Sequence, residues 1–329
     1  MIVHVGSFLD NASYVLDNYN IYEVNGVKSI ELYHKCFDKS MYPFGWIAKT
    51  NDIIEPSDNI YFYIDTLFHH AFAHWVFESA IYLPLFKILK DKYPNIKIYS
   101  KEIKSYKKIL CRAFDIDDTD ITSVFIENSR VLFPTYQSFH IFLPHYTDSN
   151  DTVIDPKYKM YLNNFYNYFK KDNIIKDIDI LYLPRGNKEN FCGNDRVILI
   201  QDVLIEYISN LPNSMILNTD TMTNFNEQVD ILRRSKIIVL DYGSSLNVNA
   251  FFAENSNIIV LNYDIHHEIQ QILNHIYNLS QARNKIVFIK NSSTEGSNPI
   301  KVNIDISKVK YIIQKNLEEI SLHNQENLS

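Results

Sequence analysis

Between Ile178 and Leu261 the chain repeats one arrangement. Short apolar runs at Ile178 to Leu183, Ser214 to Leu217, Lys236 to Leu240 and Asn257 to Leu261 are separated by amphipathic stretches of two to three helical turns. Runs of that length read as buried strands, and helices returning between them make the strands parallel, because a parallel pair needs a long crossover. The spacing predicts a Rossmann-like sheet, with helices near Val197 to Asn210 and Phe225 to Arg234 and one after each of the last two strands.

The first half reads as a second α/β layer. Strands are expected at Ile2 to Val5, Ile30 to Tyr33 and Ile60 to Ile64, followed by a long helical pattern from Leu67 to Lys92, with a kink or a change of helix at Pro84. A strand at Ile96 to Tyr99, a helix over Tyr106 to Ala113 and strands near Val124 and Val131 to Phe133 complete it. The polar segment Asp148 to Pro156, before a helix over Lys157 to Lys171, marks a junction. The reading is therefore an N-terminal domain over 1–150, a Rossmann-like domain over 151–300, and a C-terminal helix with a frayed tail over 301–329. The stretch after Asn291, SSTEGSNPI, reads as a loop.

At 329 residues the chain has room for two domains, and its formal charge of −7 argues against a general binder of nucleic acid. Cys36, Cys111 and Cys192 are odd in number and widely spaced, which indicates neither a disulfide framework nor a thiolate zinc site. The first residues lack a basic n-region, and no apolar run approaches the roughly 18 residues of a membrane span. The expectation is a soluble, cytoplasmic protein able to work beside a membrane, with no integral membrane segment.

Chemistry concentrates in three places. His70, His74 and Glu78 recur every four residues beside Phe72, Trp75, Val76 and Phe77, so they share one helical face. Such a stripe suits general acid/base chemistry, a metal site or structural polar groups; HExxH is absent because Ala71 follows His70. The turn Asp241-Tyr242-Gly243-Ser244-Ser245-Leu246-Asn247 follows a buried strand, where a helix N-terminus offers amides to phosphate or merely begins a helix. A second strand end carries Arg185, Gly186 and Lys188, with Arg196 eleven residues beyond Arg185; these are groups suited to a diphosphate or to a solvated loop. Asp115-Ile116-Asp117-Asp118 and Asp177-Ile178-Asp179 have the DxD form of a metal-diphosphate ligand but arise easily by chance in this chain. His266 and His267 follow Asp264 after the last sheet strand, a place for a nucleobase or ribose, and read rather as a solvated loop. GxGxxG and GxxxxGK[ST] are missing, which weakens dehydrogenase and P-loop readings.

Taken in order, these pieces resemble glycosyltransferase family 61, which includes xylosyltransferases and O-mannose N-acetylglucosaminyltransferases. The resemblance is carried by His74-Trp75-Val76-Phe77-Glu78, Arg185, Arg196, Glu227-Gln228 and Gly243-Ser244-Ser245-Leu246, and it spans roughly residues 65 to 265. Many members have His-Gly-Ala at the last turn, where this chain has Tyr242-Gly243-Ser244, and the Asn they place shortly after falls at Val248, between Asn247 and Asn249. The resemblance implies a GT-B-like architecture, two Rossmann-like domains with an interdomain cleft, and an inverting transfer that needs no metal or other cofactor. The donor would be a nucleotide-sugar, UDP-linked by expectation, and the acceptor a glycan or glycoconjugate hydroxyl in a cell-surface, capsule or virion glycan. Glu78 would be the base, oriented by His74. Arg185, Arg196, Lys188, Gly243, Ser244, Ser245 and Asn247 would bind the donor, with His70, Trp75 and Glu227 in support. The alternatives are a metal-dependent hydrolase using His70, His74 and Glu78, and a catalytically degenerate glycan-binding protein.

Overall fold

A computed structural model of the chain describes residues 22–23, 27–31, 45–48, 59–65, 72–100, 102–124, 126, 130–132, 156–184, 196–219, 221–263, 284–296 and 300–326. The chain divides into two compact units, Met1–Tyr168 and Phe169–Ser329. Each is a mixed α/β layer containing parallel strands.

The elements of the first unit are β1 (Tyr22–Glu23), β2 (Val27–Glu31), β3 (Gly45–Ala48), β4 (Ile60–Tyr63), α1 (Phe72–Glu78), α2 (Leu83–Lys92), β5 (Lys97–Tyr99), α3 (Ser105–Ala113), β6 (Ile121–Thr122), β7 (Arg130–Leu132) and α4 (Pro156–Tyr168). Its sheet has the order β1-β7-β4-β5-β6; β7, β4, β5 and β6 run parallel, and β1 is antiparallel to β7. β2 and β3 form a separate antiparallel pair. The helical pattern expected over Leu67 to Lys92 is, within the described residues, two helices joined by a 3-10 turn at Ala80–Tyr82. Pro84 falls in the first turn of α2, where its missing N–H has no helical partner to lose, so it opens a helix rather than bending one.

The core explains these elements. Trp75, Val76, Phe77, Tyr82, Leu83 and Phe86 are buried, and Phe86 stacks on Phe62 of β4 at 6.2 Å between ring centroids. α4 adds Tyr161 against Tyr82 at 4.9 Å and Phe165 against Phe114 at 5.5 Å. The sequence placed a junction at 150/151; the compact units meet at 168/169, and α4 counts with the first. Cys111 is buried here, which pushes its thiol up to about 12 and leaves it an apolar group in effect.

The second unit comprises β8 (Ile178–Leu183), β9 (Arg196–Ile198), α5 (Gln201–Ser209), β10 (Ser214–Ile216), α6 (Phe225–Arg234), β11 (Ser235–Asp241), α7 (Ser244–Phe252), β12 (Asn257–Tyr263), β13 (Lys285–Lys290), β14 (Ser293–Glu295), β15 (Ile300–Asn303) and α8 (Ile306–Glu326). Its main sheet has five parallel strands in the order β10-β8-β11-β12-β13. One face carries Ile180, Tyr182, Ile237, Val239, Ile259 and Leu261 against Leu204 and Ile208 of α5 and Val309 and Ile313 of α8. Elsewhere in the unit, Phe169, Phe225 and Phe252 meet edge to face at 5.3–5.4 Å, the geometry that ring quadrupoles favour.

Two expectations give way here. Val197 and Ile198, expected to open a helix, form β9, and the stretch read as a loop after Asn291 contains β14 and the start of β15. β9 pairs parallel with β15, and Ile198 and Val302 are buried. Strands of three or four residues show too little alternation to be recognised locally, and it is the distant partner that stabilises them. No helix among the described residues is long and apolar enough to cross a membrane.

At the amino end of the main sheet, Lys176 donates to the Ser235 carbonyl at 2.7 Å and to Ser256 Oγ at 2.8 Å. Burial lowers its ammonium from the ordinary value to about 8. The folded state thus releases this proton before the unfolded state does, and stability rises as pH climbs from about 8 towards the ordinary lysine range. Between pH 7 and 9.5 the native protein should gain on the order of 1–2 kcal/mol relative to Lys176→Met, read from paired urea melts. Parallel stability curves for the two proteins would contradict this.

Candidate functional site

In the first unit, His74 Nδ1 lies 2.7 Å from Glu78 Oε1, as the i, i+4 spacing on α1 requires. With Glu78 as a carboxylate, which only accepts, Nδ1 is the donor and the imidazole is held by one edge. The two members differ in access: the His74 side chain is 20% exposed and that of Glu78 0%. His70 lies outside the described residues. Trp75 is buried and donates its indole N–H to Asp65 Oδ1 at 2.9 Å, so it is a core residue and offers no face to a sugar ring.

Asp65 belongs to a buried network absent from the sequence reading. Its other oxygen accepts from Ser100 Oγ at 2.8 Å, and Lys107 Nζ lies 3.3 and 3.4 Å from the two carboxylate oxygens. Lys107 also donates to Ser100 Oγ at 2.7 Å and sits 5.5 Å from the centroid of the Trp75 ring. Asp65, Ser100 and Lys107 are all 0–1% exposed. Burial lowers Lys107 from the ordinary lysine value although Asp65 opposes the shift. Burial, followed by the charge of Asp65, raises the phenols of Tyr63 and Tyr99. Asp65 and Ser100 follow the ends of the adjacent parallel strands β4 and β5, and through Trp75 the network fixes the helix that carries the dyad. The available signal was a polar residue directly after each apolar strand; the 42-residue separation of Asp65 from Lys107 hid the pairing.

In the second unit the sheet order decides the geometry. Numbered along the chain, its five strands stand 2-1-3-4-5, which places the topological switch between β8 and β11. In open α/β sheets, ligands bind outside the carboxyl ends of the strands at such a switch. The register pairs Leu240 with Leu183, so the carboxyl ends of β8 and β11 stand side by side. Arg185 and Lys188 themselves lie outside the described residues, as do His266 and His267. Arg196 is in β9, opposite Ile300. Gly243 has φ 137° and ψ −152°, a conformation open to glycine and strained for other residues, and it precedes α7, whose first turn contains Ser244 and Ser245. Asn247 is half-buried on α7.

The neighbouring motif residues divide in role. Gln228 Nε2 donates to Asn249 Oδ1 at 3.1 Å, and both are buried, so this pair ties α6 to α7. Glu227 is exposed in the first turn of α6, its amide received by the Asn224 cap, a position that suits a carboxylate near the helix dipole. Both DxD segments have other partners. Asp177 forms a two-point pair with Arg234 at 2.8 and 2.7 Å, and Asp179 pairs with Lys236 at 2.6 Å, both at the amino end of the sheet. Asp118 pairs with Arg112, Asp115 with Lys87, and Asp117 caps a 3-10 turn. Among the described residues, no three His, Cys, Asp or Glu side chains form a group able to hold a metal ion.

No family model matches the chain, and no curated protein sequence is significantly similar to it.

Proposed function

We propose that the protein is an inverting glycosyltransferase resembling family 61, with a GT-B-like division of labour between its units. The observation that carries the reading is the register of β8 and β11: it pairs Leu183, two residues before Arg185 in the sequence, with Leu240, three residues before Gly243, at the switch of a 2-1-3-4-5 sheet. In the proposal the diphosphate of a nucleotide-sugar is received there by the first amides of α7, with Arg185, Lys188 and Arg196 supplying charge to the leaving group. Ser244, Ser245 and Asn247 add polar contacts.

The acceptor hydroxyl is handled by the first unit. The sequence reading made Glu78 the base and His74 its orienter, whereas burial favours the reverse assignment. The part-exposed imidazole takes the proton, and the buried carboxylate, 2.7 Å from Nδ1, sets its orientation and stabilises the imidazolium that forms. The acceptor oxygen attacks the anomeric carbon as the bond to the nucleotide diphosphate breaks, and the proton goes to His74. The fold is shared by many activities, so the proposal rests on these groups and not on the architecture.

A thermal-shift panel of UDP-, GDP-, TDP- and CMP-sugars tests it. One nucleotide class should raise the unfolding temperature, increasingly with the logarithm of its concentration above Kd. A flat response to every nucleotide and nucleotide-sugar at millimolar concentration would contradict the proposal.

A further inference from the structure

Tyr182 lies on β8 with its ring in the core, 1% exposed, and its hydroxyl is buried without a hydrogen-bond partner. A buried hydroxyl left unpaired is costly, and in native proteins it calls for a specific explanation. Its surroundings are acidic. Val239 pairs with Tyr182 in the register, so Asp241, two residues on along β11, projects from the same face one step nearer the carboxyl edge. Asp202 stands in the first turn of α5, the helix that packs on this face through Leu204 and Ile208. Burial first, and then the charges of Asp241 and Asp202, raise the Tyr182 phenol, in keeping with their placement on this face. The group thus offers one hydroxyl and two carboxylates at the switch between β8 and β11.

We infer that the α5 side of this strand-end switch receives a vicinal diol, which donates to the carboxylates of Asp241 and Asp202 and bonds to the Tyr182 hydroxyl. The inference rests on the nucleotide-sugar reading and deepens it. Two carboxylates repel a diphosphate, so the phosphates belong at the amino end of α7 and an uncharged donor-rich moiety belongs here. Ribose and the transferred sugar both carry such a diol.

Titration calorimetry on the full chain distinguishes them, using UDP and GDP, their 2′-deoxy forms, and the UDP- and GDP-sugars, with wild type, Tyr182→Phe and Asp202→Asn. Tyr182→Phe removes an unpaired hydroxyl and Asp202 is exposed, so both variants should fold. Wild type should prefer the ribonucleotide over its 2′-deoxy form by about tenfold, and each variant should bring that ratio towards one. If the preference and its loss appear only between sugar-linked and sugar-free nucleotide, the diol is that of the transferred sugar, and the inference stands. Variants that bind every probe as wild type does would overturn the diol site alone. Wild type that binds none of the probes would overturn the nucleotide-sugar reading and this inference with it.

Discussion

Asp65→Asn should destabilise the first unit by about 3–5 kcal/mol, the usual cost of leaving a buried charge without its partner. Lys107 is fully buried, and among the described residues Asp65 is the carboxylate it pairs with, at 3.3 and 3.4 Å. The asparagine oxygen can still accept from Trp75, so the loss reports the charge and not the indole hydrogen bond. Adding Lys107→Met removes the stranded ammonium and should restore most of the stability, since an apolar replacement of a buried pair is often neutral or better. Both tryptophans, Trp46 and Trp75, lie in the first unit, so tryptophan fluorescence follows this unit selectively through a denaturant melt. An Asp65→Asn melt within about 0.5 kcal/mol of wild type would contradict the network's assigned role.

Glu78→Gln should lower the rate of sugar transfer by about 10²–10⁴-fold while leaving nucleotide binding unchanged. The amide oxygen can still accept from His74 Nδ1, so the helix and the imidazole orientation persist. What disappears is the negative charge that stabilises the protonated imidazole. His74→Gln should reduce transfer by a similar factor, because the group that takes the proton is then gone. If Glu78 were itself the base, as the sequence reading had it, His74→Gln would cost far less than Glu78→Gln. Full transfer by both variants would leave only a structural role for the dyad.

The parts of the fold legible in the sequence are those whose signal is local. β8, β11 and β12 are buried on both faces, so their apolar runs stand out. The Asn224 cap and the strong amphipathicity of α6 place that helix at Phe225 to Arg234. β9, β14 and β15 are short, and β9 depends on a partner 104 residues away, Arg196 pairing with Ile300; nothing near Ile198 announces Val302. The same divide runs through the candidate site. The pairing of His74 with Glu78 on α1 follows from helical spacing, but their unequal access depends on what packs over the helix. The sheet order 2-1-3-4-5 is non-local too, and it is this order that sets the strand ends Leu183 and Leu240 side by side. The DxD segments were readable as motifs and ambiguous as chemistry, and only the positions of Arg234, Lys236, Arg112 and Lys87 reveal their ion pairs.

The central claim, a nucleotide-sugar held at the carboxyl ends of β8 and β11, is tested most directly by amide hydrogen exchange of the full chain. Exchange is followed with and without a saturating concentration of the stabilising nucleotide-sugar. The account predicts slowed exchange in peptides spanning 181–204 and 239–252, with the amino-end segments around 176–179 and 234–236 unchanged. Protection confined to other segments, or concentrated at the amino ends of these strands, would contradict it.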